Sequence, residues 1–145
     1  MKADLQVYRI SQTWAEAAQL LTRLLSAGAS LGNRDRRLLR QAHGDLRSLL
    51  VSLTGPSHDL LAVEVAATLL EVVQPVYSRS LLVEHLARAQ DVLALLLASE
   101  SGLEKVTVAP AQLAWLQEFL SECCLMLLRS LATRHLKRQA MAVGS

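Results

Sequence analysis

HDLLAVEVAATLLEVVQP, residues 58–75, is the stretch whose reading decides the fold. Wound at 3.6 residues per turn, residues 60–73 offer water one narrow polar stripe, Glu64, Thr68 and Glu71, and Leu, Val or Ala in every other direction. A helix apolar nearly all round needs neighbours on nearly all sides, because leaving one Leu wet forfeits roughly 1.5–3 kcal/mol. The expectation is a helical domain built around this segment, with the helices before and after it wrapped close and Glu64 marking its one wet edge.

Working outward, caps and breakers divide the rest of the chain into four more helical segments. Upstream, "RDRRLLRQAHGDLRSLLVSLT" (34–54) reads as a helix capped by Asn33 and ended by Gly55-Pro56. Before it, Thr13 and Glu16 in "TWAE" form a capping box that opens "AEAAQLLTRLLSA", which stops at Gly28. The quoted stretch itself takes Ser57 as cap and Pro75 as terminator. Downstream, Ser78 or Ser80 caps "LLVEHLARAQDVLALLLASE", closed by Gly102, and "LEKVTVA" reads as a linker or one extended segment. Pro110 then opens a fifth helix, where its missing N–H costs nothing, running to about Arg138. The ordered core predicted in this way is about 12–138, with residues 1–10 and 139–145 loosely held.

Composition agrees with this division. The 145 residues are 52% hydrophobic but only 3% aromatic, and Leu and Ala, both strong helix formers, supply most of the apolar count. One all-α domain follows, of a length able to bury roughly 70% of its unfolded surface. A net charge of +2 predicts neither a nucleic-acid binder nor a disordered tail. Cys123 and Cys124 are adjacent, so they point about 100° apart on a helix and read as free buried thiols of a reducing compartment. The longest apolar runs, "VLALLLA" and "CCLMLL", fall far short of the ~20 residues of a membrane span. "MKADLQVYRISQTW" lacks the apolar core of a signal peptide, so the cytoplasm or nucleus is the expected location.

Residues 46–73, "LRSLLVSLTGPSHDLLAVEVAATLLEVV", resemble the inner part of an armadillo or HEAT repeat: a Leu-rich helix, a short polar turn, then a helix with a small residue at the crossing, here Ala66 or Ala67. A second, poorer match begins "DVLALLLASESG" and resumes at "AQLAWLQEFLSECC". Leu53 and Leu97 stand 44 residues apart, inside the 40–47 of such repeats, with "LEKVTVAP" as an insertion. About half the chain is covered. The resemblance implies a five-helix stack acting as a protein-binding scaffold without catalytic residues, with the chain as a piece or short form of a longer helical-repeat protein. A compact five-helix bundle accounts for the same periodicity.

No catalytic or cofactor pattern emerges. His43 and His135 lie among arginines, and His58 sits in a capping turn. His85 beside Glu84 lacks the doubled Glu-x-x-His of a di-metal bundle, and no zinc spacing occurs. Cys123 and His135 are twelve residues apart, or ~18 Å along one helix, against a nucleophile–base reach of ~3 Å. "GASLG" lacks the Lys-Ser/Thr of a phosphate loop. An enzyme is not expected, and neither metal nor cofactor is called for.

Two surfaces carry the functional expectation. Arg36, Arg40, His43 and Arg47, spaced i, i+4, i+7 and i+11, make a basic stripe with Asp35 and Asp45 as local partners. Glu84, Arg88 and Asp91 read as a salt-bridged outer stripe on the fourth helix. On the fifth, six consecutive apolar residues place Leu125, Met126, Leu128 and Leu131 as an apolar strip, an anchor for a protein partner or a second copy. Arg36, Arg40 and Arg47 would orient an acidic partner. The alternative is a basic-face nucleic-acid binder, disfavoured by low net charge and the absence of interleaved aromatics.

Overall fold

The computed structural model describes residues 2–27, 31–98 and 108–143. Five α-helices are found among them: α1 (Lys2–Ala27), α2 (Asn33–Thr54), α3 (Leu60–Val73), α4 (Arg79–Ala98) and α5 (Pro110–Val143). The all-α class is as expected.

Their antiparallel pairing can be followed contact by contact. Arg9 pairs with Asp45 and Arg23 with Asp35, so α1 and α2 run in opposite directions. Asp4 pairs with Arg134 and Cys124 donates to the Ser11 carbonyl, so α5 runs against α1. Arg79, at the start of α4, donates to the Leu53 carbonyl at the end of α2 at 2.7 Å, covering one of the orphan carbonyls of that terminus. His85 meets Phe119, and Arg88 meets Trp115, so α4 and α5 also oppose each other.

No Cα of α1 lies within 8 Å of α4, nor any of α2 near α5. These four helices therefore form a ring of antiparallel neighbours, with the first helix packed most extensively on the last. The short α3 covers the end where α1 begins and α2 finishes. Ile10, Leu49 and Val65 meet there, and Arg134 of α5 reaches Thr68 at 3.1 Å.

Several expectations change. Helix α1 begins at Lys2, not Thr13, because the buried stripe of Trp14, Ala17 and Leu21 starts one to two turns earlier, at Val7 and Ile10. Residues 2–10 are therefore held rather than loose. Thr13 is buried inside the helix and accepts from Arg9 at 3.5 Å instead of capping. Gly32, not Asn33, occupies the cap of α2, with its N–H bound by Asp35 at 3.2 Å. Asp59, not Ser57, caps α3, accepting from the Ala62 N–H at 3.1 Å. Ser78 caps α4 as expected, accepting from Leu81 at 3.3 Å. Helix α5 continues past Arg138 to Val143. Gly28, Gly102 and residues 103–107 of the expected linker lie outside the described residues; Val108, its next residue, is buried.

The largest correction concerns α3. It is not enclosed on nearly every flank: Leu60 is 75% and Val63 37% exposed, in line with Glu64, Ala67 and Glu71. Thr68, expected in water, is 6% exposed beneath the Arg134 guanidinium. Helix α3 is thus one-sided, with Ala62, Val65, Ala66, Leu69 and Val73 turned into the core. It covers the end of the ring rather than threading its centre, so one long flank stays open.

Arg134 and Arg138 both bind Asp4, tying the start of α1 to α5. The hydrogen bond from Arg138, opposed by partial burial and reinforced by Arg134, holds the Asp4 carboxyl below its ordinary range. A carboxyl depressed by folding stabilises above the ordinary aspartate value of about 3.9, and that contribution disappears as pH falls through its titration. Asp4→Asn should therefore cost about 1 kcal/mol at pH 7 and nothing at strongly acid pH, measured by urea unfolding at both. An equal cost at both would show that the charge is not what matters.

Candidate interaction surfaces

The basic stripe is present on α2: Arg40 and Arg47 are exposed, with Arg36 and His43 half-buried. Its expected acidic partners are engaged elsewhere. Asp45 is 5% exposed and takes a two-pronged bond from Arg9 at 2.6 and 3.2 Å, with Gln41 donating at 3.3 Å. Asp35 binds the Gly32 amide and lies 3.8 Å from Arg23. Both carboxylates thus join α1 to α2.

The apolar strip on α5 is divided by helical geometry. At 100° per residue, Leu125 points directly away from the buried row of Leu116, Leu120, Cys123 and Leu127. Leu128 and Leu131 fall on one flank and Met126 on the other, with Leu128 and Met126 ~200° apart. Leu125 is 50% exposed, whereas Met126, Leu128 and Leu131 are half-buried against the core. Leu125 and Leu128 line an open groove of about 350 Å³ between α1 and α5, whose other walls include Ala15, Ala18 and Cys124. The structure thus joins Leu125 to Leu128 and separates Met126 from both.

A cluster that the sequence does not flag lies between α4 and α5. Three of the five aromatic residues, Tyr77, Trp115 and Phe119, surround His85 with ring centroids 5.0, 5.4 and 5.6 Å away. Trp115 and Phe119 stack at 5.3 Å, and the Arg88 guanidinium sits 4.0 Å above the indole. Arg88 thus makes a cation–π contact, and no ion pair with Glu84 or Asp91 is found among the described residues, in place of the expected salt-bridged stripe. Tyr77 donates to Glu122 at 2.7 Å; burial and that carboxylate push its phenol well up. The available signal is the spacing: Trp115 and Phe119 are i, i+4 on α5, and His85 and Arg88 are i, i+3 on α4. The cluster locks the two helices together.

The two cysteines are free and buried. Burial pushes both thiols up, so each stays protonated and weakly nucleophilic, and Cys124 donates to the Ser11 carbonyl at 3.2 Å. Among the described residues no three His, Cys, Asp or Glu side chains converge to hold a metal ion, and no helix is long and apolar enough to cross a membrane. No family model, curated protein or solved structure matches the chain.

Proposed function

We propose that this chain is a non-enzymatic protein–protein interaction or scaffold module, acting through the apolar strip of α5 and the basic face of α2. The observation that supports it most directly is Leu125, half exposed beside an apolar groove on a helix whose opposite side is fully packed. Leu125, Leu128 and Leu131 anchor a partner by burial from the α1 side, and Met126 serves a contact from the α4 side. Arg36, Arg40 and Arg47 orient a partner that is acidic. Two protonated buried thiols suit the reducing cytoplasm or nucleus.

The finer kinship with armadillo or HEAT proteins rests on residues 46–73, which form the α2–turn–α3 hairpin that such repeats use. Against it stands the packing of α1 on α5, since a solenoid repeat touches only its sequence neighbours. A place within a longer helical-repeat protein stands or falls with that kinship.

Arg36, Arg40 and Arg47 changed together to Glu should weaken binding of a fluorescent Asp/Glu-repeat peptide by about tenfold or more, the scale of a lost charge-complementary face. The unfolding midpoint should move little, because these positions lie off the core. Unchanged peptide affinity would remove the basic face from the proposal. The exposure of Arg40 and Arg47 along one face of α2 supports a second reading, a basic-face nucleic-acid binder. Its affinity should fall steeply as salt rises, and no electrophoretic shift at low salt would eliminate it.

A further inference from the structure

The outward row of α5 has the same spacing in either direction about Leu125. Ala114, Glu118, Ser121, Leu125, Arg129, Ala132 and Leu136 follow one another at three- and four-residue steps, on the side away from the buried row. Leu125, Leu136, Glu118, Arg129 and Ala132 are exposed. Laid antiparallel on a copy of itself with Leu125 at the two-fold axis, this row brings Leu125 against Leu125 and each Leu136 against the small Ala114. Arg129 comes to lie opposite Ser121, one helical turn from Glu118, so an acid and a base face each other twice across the seam.

We propose that the partner of the α5 strip is a second copy of this chain, docked through an antiparallel α5–α5 contact centred on Leu125. The inference rests on the reading of that strip as a contact surface and names its occupant. Three features favour a copy over an unrelated partner. The charges are self-complementary under the two-fold, as an isologous interface requires. Large side chains meet small ones, or one another at the axis, where the groove beside Leu125 offers about 350 Å³ to receive them. Finally, α5 is 34 residues long, so the register overlaps nearly its whole length, about 45 Å.

Light scattering on the size-fractionated chain at 1–100 µM should give about twice the 15.9 kDa of one copy. Leu125→Asp should raise the dissociation constant at least ~100-fold and leave a folded monomer, since Leu125 lies opposite the core. Arg129→Glu should weaken the dimer, and adding Glu118→Arg should restore it. Under oxidation, Leu125→Cys should cross-link to itself. Leu136→Cys should not, because its two copies are ~33 Å apart along the axis. A wild-type monomer at 100 µM, a Leu125→Asp dimer, or equal cross-linking at both positions would overturn the proposal. A monomeric wild type leaves the strip as a docking surface for another protein, whereas loss of the basic-face effect leaves the dimer untouched.

Discussion

Trp14→Ala should lower the unfolding free energy by about 3–5 kcal/mol, the range for truncating a large aromatic in a close-packed core. Trp14 is fully buried on α1 among Val7, Ile10, Ala17 and Leu21, at the side of that helix from which the ring of four is built. The small residues beside it, Ala17 and Ala18, cannot move to fill the space, so most of the void persists. Its indole Nε1 finds no hydrogen-bond partner among the described residues. Trp14→Phe should therefore be far milder than alanine, because it removes an unsatisfied donor while keeping most of the ring volume. Chemical unfolding of the three proteins checks the order. A phenylalanine variant as unstable as the alanine one would show that the N–H is satisfied after all.

The second large effect is expected at the Arg9–Asp45 pair. Arg9→Met leaves a buried carboxylate with only the Gln41 amide for company, and should cost about 2–4 kcal/mol, somewhat below a fully buried pair because the Arg9 side chain is 38% exposed. Asp45→Leu made in the same chain should recover most of that loss, since an apolar contact of similar volume needs no partner. If the double variant is as unstable as the sum of the singles, the pair contributes through packing alone. The cycle separates the two cleanly because Arg9 and Asp45 are distant in sequence and meet only in the folded ring.

Periodicity carried much of this structure. Caps and breakers place four of the five helix starts to within about three residues, and the helical class and the buried row of α2, Leu39, Ala42, Leu46, Leu49 and Leu53, follow from spacings of three and four, since a helix decides locally which residues share a face. The early start of α1 was also legible: Val7 and Ile10 continue the row of Trp14, but the capping box at Thr13 offers a competing start. Propagating an existing helix costs less than nucleating one, and buried Val7 and Ile10 reward the extra turns.

What one segment's pattern cannot contain is the identity of its neighbours. Residues 60–73 are apolar on almost every side, which determines that α3 is helical and packed, but not that it covers one end of a ring and leaves Leu60 and Val63 open. Asp45 beside the α2 arginines looks like their partner until α1 brings Arg9 within 2.6 Å. His85, Tyr77 and Trp115 become one cluster only when α4 and α5 oppose each other. Local backbone geometry chooses helices and their faces. Contacts between residues tens of positions apart choose which faces are covered, and so which remain for a partner.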